Sequence, residues 1–262
     1  MQVKQVGLSQ KWYDMLKAVS TLILTLMVVT LSYGQDKIVS MTSLEWPPYT
    51  GKNLPQQGKT IETARQVFAT MGYELQTVFY PWARAVNLGL DEKSGFVGYF
   101  PEYYDVNLQK KCLFSESIGF SPLGFAQLKS SPIEWRNLDD IAKLERVGVV
   151  RDYVNSPDFD LRVAKGNIKV DEAISDVENI KKLGAKRVSA IVIDKYVLEY
   201  WLSHEPQLAY LKDQIEMNDN LLDRKNLYLC FQKNEKGEEL LRLFNEGLNK
   251  QKMKSFMRGS MH

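Results

Sequence analysis

The sequence is poor in the side chains that metal binding and nucleophilic catalysis draw on. Its 262 residues hold two histidines, His204 and the terminal His262, and two cysteines, Cys112 and Cys230, with no ligand spacing among them. A metal site therefore has no support in the residue pattern. No Gly-x-Ser-x-Gly elbow, phosphate-binding Walker loop or His-Glu-x-x-His helix occurs, so neither a catalytic residue nor a cofactor is assigned. An excess of charge is missing as well. Lys and Arg number 34 against 32 Asp and Glu, and the resulting +2 is matched by Lys4, Lys11, Lys17 and Asp14 near the N-terminus. The remainder is close to neutral and holds no basic block, which argues against nucleic acid or an anionic membrane surface as partner. The chain also lacks an apolar run of the roughly 20 residues needed to span a bilayer. It has no internal repeat and no low-complexity tract.

What is present begins with a leader. Three lysines precede an apolar segment at 18–31, which ends in Ser32-Tyr33-Gly34. A positive start, an apolar centre and a small-x-small ending predict a secretory signal peptide over 1–34, cleaved near Gly34, and hence a periplasmic protein. Translation could start at Met1 or Met15, and a membrane anchor is the alternative reading. No cysteine lies near the cleavage point to carry a lipid. In an oxidising compartment Cys112 and Cys230 can pair as a disulfide; the alternative is two buried thiols acting as small hydrophobes.

The rest is organised around residues 112–129. A short apolar run there meets a turn-rich centre (Ser115, Gly119, Ser121, Pro122) and becomes apolar again through Leu123, Phe125 and Leu128, which reads as strand, bend, strand. Before it the patterns alternate: a strand at 37–44, a helix capped by Thr60 and stopped by Gly72, a strand at 73–79, a helix from Pro81 to Gly89, and a short strand at 95–100. This β-α-β-α-β order predicts a mainly parallel sheet with helices on its faces. After it the alternation restarts. Asn137 caps a helix at 138–144, a strand follows at 146–150, and Ser156 and Pro157 start a short helix. A strand at 168–170 and a capping box from Ser175 to Glu178 come next, then a strand at 189–193 and a helix after Asp194. A second apolar run at 226–232 would carry the chain back, with a final helix after it. Two α/β lobes joined by two strands make a hinge that closes on ligands. The predicted division is 35–121 for lobe one, 122–227 for lobe two and 228–262 for the return into lobe one.

Several short motifs fall in that frame in a distinctive order: Trp46-Pro-Pro-Tyr49, Pro81-Trp-Ala-Arg84, Phe114-Ser115, Val147-Gly148-Val149 and Ile191-Val-Ile-Asp194. Together they resemble the family-3 extracellular solute-binding proteins, the periplasmic receptors of polar amino acid importers, over nearly the whole chain after the leader. The resemblance implies the α/β two-lobed periplasmic-binding-protein fold of type II, a monomer enclosing a small polar ligand, and an ABC permease or a membrane receptor as partner. It also implies that Asp194 takes the ligand's ammonium. The family's carboxylate-clamping arginine, however, falls at Leu108, so half of the usual grip on a zwitterion is missing.

Each candidate site residue has two readings. Asp194 ends a strand, where ligands of open α/β sheets sit, and can bind an amine or simply cap the next helix. Trp46, Tyr49 and Trp82 can wall a cleft or pack in a core. Arg84 and Arg151 can replace the missing clamp with a bidentate fork or lie on the surface, Arg151 pairing with Asp152. Tyr99, Glu102 and Tyr103 lie beyond the Gly95 strand, with Glu102 either accepting an amine or solvated in a loop. Ser121 and Ser115 offer hydroxyls to a ligand or to a turn. Glu45, Glu102 and Asp194 could form an acid–base set, as in dehydratase relatives of such receptors. The expectation is a binding protein delivering an amino acid or related amine to a permease, with a sensor module as the alternative and an enzyme as a remoter one.

Overall fold

The computed structural model describes residues 37–259, with the side chains of the last helix through Met253. The expected signal peptide, its cleavage at Gly34 and the choice between Met1 and Met15 lie outside the described residues. Among those described, no helix is long and apolar enough to cross a membrane.

The first elements are β1 (Lys37–Ser43), α1 (Lys59–Thr70), β2 (Tyr73–Phe79), α2 (Trp82–Leu90) and β3 (Gly98–Tyr103). Next come β4 (Cys112–Phe114) and β5 (Gly119–Leu128), the strand–bend–strand read from the sequence. Then follow α3 (Leu138–Ile141), β6 (Val147–Val150), α4 (Pro157–Ala164), β7 (Val170–Ala173), α5 (Asp176–Gly184), β8 (Ala190–Asp194) and α6 (Lys195–His204). The long β9 (Ile215–Gln232) and α7 (Glu235–Gly259) complete the chain. The strand path is β2-β1-β3-β9-β5-β8-β6-β7, with β4 also on β9. β1 runs parallel to β3, and β6 runs parallel to both β7 and β8. β6 and β8 are buried along their whole length, as parallel strands covered on both faces must be.

Two strands make the crossing. β5 and β9 pair antiparallel from Gly119–Leu227 to Leu128–Ile215. One core lies on one side of it: Ile61, Ala64, Val67 and Phe68 of α1 pack with Met41, Phe231 and Phe244. The spacing of those α1 residues gives an apolar stripe facing the sheet. On the other side Phe125, Phe159, Ile180, Leu183 and Ile191 form a larger core, which Leu44, Trp46, Tyr49 and Tyr103 join from the first lobe. Gly148 explains one close approach. A Cβ there would lie 2.2 Å from Asn179 Oδ1, so α5 could not settle on β6 if any larger residue stood at that position.

The structure revises several local expectations. Thr60 does not cap α1; the helix starts at Lys59 after Gly58, with no side-chain cap. β3 lies three residues later than expected, so Tyr99, Glu102 and Tyr103 are within a strand and buried, not in a solvated loop. β7 lies later than 168–170, and β9 starts well before 226. The expected caps Asn137, Ser156 and Ser175 each accept a backbone N–H of their own helix. Cys112 and Cys230 are joined as a disulfide, Cα atoms 5.6 Å apart. The bridge closes a loop with a sequence separation of 118, which in the chain-entropy picture stabilises by about 4–5 kcal/mol.

Candidate functional site

The site lies where the first lobe's loops meet the C-terminal ends of the second lobe's strands. Asp194 ends β8 and is 2% exposed. Its Oδ1 accepts the backbone N–H groups of Tyr196 and Val197 at 2.7 and 2.9 Å, capping α6. Its Oδ2 accepts the Tyr49 hydroxyl at 2.9 Å and the Ser121 hydroxyl at 2.5 Å. Asp194 is thus a helix cap and a cleft residue at once. Tyr103 bonds the Ser121 hydroxyl; since Ser121 gives its proton to Asp194, Tyr103 is the donor, and the three form a relay. Burial raises the Asp194 carboxyl above its ordinary value, opposed by these four donors. The same burial, reinforced by Asp194's charge, pushes the Tyr49 hydroxyl far up.

The walls are aromatic. Trp46 stacks on Tyr49 with centroids 4.5 Å apart and meets Tyr103 edge-on at 6.0 Å. Trp82, from the start of α2, contacts Tyr99 and Tyr153 edge-on at 5.5 and 6.0 Å. Its indole N–H donates to the Asp152 carbonyl at 3.0 Å, a second bond across the lobes. Behind this wall sits Glu102. Residues three apart on a strand normally face opposite sides, but the β3–β9 register shifts between Tyr99 and Glu102, and the Tyr99 hydroxyl donates to Glu102 Oε2 at 3.2 Å. The Tyr103 amide donates to Oε1 at 2.7 Å. Burial pushes the Glu102 carboxyl up to about 8 despite these donors.

A third buried acid, Asp176, opens α5 and accepts the Tyr153 hydroxyl at 3.2 Å. Burial raises it to about 7, and the charge of nearby Asp194 adds to the effect. One buried cation faces this group: Lys225 of β9, opposite Ser121 in the ladder, lies over the Tyr103 ring at 5.4 Å and 3.5 Å from Asp223. The small space lined by Trp46, Trp82, Glu102, Tyr103 and Tyr153 is about 30 Å³, room for a water or two. An adjoining space of about 530 Å³ shares Leu44, Trp82 and Tyr153 with it and adds Asp176 and Trp201. The smaller space is too small for an organic solute.

Of the residues expected from sequence, Trp46, Tyr49, Trp82, Tyr99, Glu102, Ser121 and Asp194 come together here. Arg84 and Arg151 do not. Arg84 is exposed with its guanidinium 5.0 Å over the Tyr80 ring, and Arg151 is exposed and bonded to Glu172 at 2.9 Å instead of Asp152. Each is held on exposed surface by its own neighbours. Leu108 begins a short 3-10 turn, and among the described residues no arginine is buried. Ser115 is structural, bonding Glu116 O and the Leu229 amide. Glu45 is exposed, accepts the Lys52 amide and lines the larger space with Asp176, whereas Glu102 lines the smaller one. Tyr153, Asp176 and Lys225 were not anticipated as site residues. Asp176 carried a signal, being the first residue after the Ser175 cap at a strand's C-terminal end. Among the described residues no group of three or more His, Cys, Asp or Glu converges as a metal site.

No family model matches the chain, and no curated protein matches it by sequence. Solved structures match in shape. The GluR0 ligand-binding core from Nostoc punctiforme, in complex with L-glutamate, has a TM-score of 0.66 at 18% identity, covering 84% of this chain and 96% of its own. Holo ArgBP from T. maritima has a TM-score of 0.66 at 17% identity, with 82% and 90% covered. A histidine kinase sensor domain with similarity to periplasmic binding proteins reaches 0.70 at 15% identity, with 86% and 93% covered. At such identities the likeness is one of fold, and the fold is the two-lobed type II periplasmic-binding-protein fold.

Proposed function

We propose that the protein is a family-3-type solute-binding protein that captures a small polar solute, an amino acid or related amine, by hinge closure. The observation that carries this reading is the cross-lobe contact of Tyr49 and Ser121 with Asp194 in an aromatic cleft. An incoming ammonium would compete for those hydroxyls' place on the carboxylate. A solute shifts the hinge only by preferring the closed form, and closure desolvates its charge pairs and strengthens them. The lobe limits at 121/122 and 227/228 belong to this reading, since they place both crossings at the β5–β9 ladder. Export to the periplasm is supported by the Cys112–Cys230 bridge. In this reading the protein is a monomer, performs no chemistry on its solute and hands it to an ABC permease.

A thermal-shift screen of amino acids, polyamines and small acids tests the reading. At a hundredfold excess over its dissociation constant a bound solute stabilises by about 2.7 kcal/mol. Because Asp194 also caps α6, Asp194→Ala should itself cost about 1–2 kcal/mol. Asp194→Asn keeps an acceptor for the cap and removes the charge, and should abolish the shift. A full shift in Asp194→Asn would refute the amine-anchor role. A second reading, a sensor module that passes closure to a membrane receptor, is favoured by the likeness to the histidine kinase sensor domain. Crosslinking in cells to a permease or to a signalling receptor separates the two.

A further inference from the structure

The ionisable side chains of the cleft are mostly acids. Glu102, Asp176 and Asp194 are 5%, 4% and 2% exposed, and Lys225 at 7% is the one buried basic side chain among the described residues. Lys225 is already engaged by Asp223 and the Tyr103 face. Asp194 has four donors, whereas Glu102 has one hydroxyl and one amide, and Asp176 has one side-chain donor. An ionised carboxylate offers about four acceptor positions, so Glu102 and Asp176 keep capacity to spare once an incoming cation displaces to water the protons that burial favours on them. Glu102 lines the smaller space and Asp176 the larger one beside it, and the two spaces share the rings of Trp82 and Tyr153. The two acids belong to opposite lobes, one on β3 and the other at the start of α5.

Resting on the solute-binding reading above, we propose that the cleft selects an organic dication without a carboxylate, a primary diamine or guanidino-amine, over the amino acid with the same side chain. One cationic head sits at Glu102 and the other at Asp176. The methylene stem between them lies along Trp82 and Tyr153, whose faces accept CH₂ groups and attract cations. One molecule answering an acid on each lobe ties closure to its second charge. A monoamine satisfies one lobe and biases the hinge less. A ligand carboxylate would meet three acids in a low-dielectric space. The two arginines that could have held it stand on exposed surface.

Isothermal titration of the purified protein with putrescine, cadaverine and agmatine, each beside ornithine, lysine and arginine, tests the proposal. The amines should bind at least tenfold more tightly than their parent amino acids. Glu102→Gln and Asp176→Asn, each checked for an intact melting transition, should lower diamine affinity at least tenfold. Either variant alone suffices if the other does not fold. Amino acids binding as tightly as the amines, or diamine binding unchanged in both variants, would overturn the dication site while leaving solute binding intact. No binding by these compounds or by any solute of the broader screen would remove both readings.

Discussion

The first lobe's core and the cleft between the lobes are both built from aromatic rings, but from different ones. In the core, Phe68 meets Phe244 with centroids 5.0 Å apart and Phe231 at 6.4 Å, and the buried side chains packed with them are aliphatic, Met or Phe. In the cleft the rings are Trp46, Tyr49, Trp82, Tyr99, Tyr103 and Tyr153, and four of the tyrosines hold their hydroxyls on Asp194, Glu102, Asp176 or Ser121. Phenylalanine suits a surface that stays dry, because it has no polar atom to strand. Tyrosine and tryptophan suit one that is alternately buried and wetted, because each has an apolar body and a polar tip. The choice of ring thus marks the surface expected to open.

The largest expected effect tests the dry side. Phe244→Ala should destabilise the protein by about 3–5 kcal/mol through transfer and cavity losses. In denaturant titrations that loss should be equal at pH 5 and pH 8, since the buried side chains around Phe244 do not titrate. A loss that varies with pH would break the comparison.

The cleft should supply the pH dependence. Glu102 is raised to about 8 and Asp176 to about 7, both chiefly by burial. Glu102 faces Tyr99, Asp105 and Lys225; Asp176 faces Tyr153 and Asp194. Folding holds protons that the unfolded chain has released, so the folded state binds more protons between the ordinary carboxylate range and these values. Stability from this source is complete at acid pH and is lost as pH rises through about 7 and then 8. The loss between pH 5 and 8 should be on the order of 2–4 kcal/mol, below the full conversion because parting lobes rehydrate both carboxyls. Glu102→Gln should flatten the dependence of melting temperature on pH. An equally steep dependence in that variant would show that the proton is held elsewhere.

The smallest effect sharpens the comparison. Tyr49→Phe removes a single hydroxyl and leaves Asp194 three donors, a change of about 1 kcal/mol. Because that bond crosses the lobes, the change should move the hinge more than the cores. Small-angle scattering should show a larger radius of gyration while the melting temperature stays within a few degrees. An unchanged radius would mean that Tyr49 does not help hold the lobes together.

Periodicity made most of the elements legible. The helices around Ile61 and Leu240 and the buried strands at Val147 and Ile191 follow from local pattern, and the caps Asn137, Ser156, Ser175 and Asp194 from local chemistry. β3 was misplaced because Gly95 and Gly98 blur its start and Pro101 argues against a strand continuing to Tyr103. The early half of β9, rich in Asn and Asp, carries no apolar alternation; β5 supplies its hydrogen bonds instead. Lys225 was missed with it.

The sequence by itself determined the two α/β halves, the crossing at 112–129 and Asp194 as a cap at a strand's end, because each depends on residues near one another in the chain. Only the tertiary structure decided that Glu102, Asp176 and Asp194 share one cleft, that Arg84 and Arg151 stay outside it, and that Cys112 reaches Cys230. Desolvation and charge–charge interaction depend on distances in space, and those are set by how β5 and β9 cross, which no spacing along the chain records.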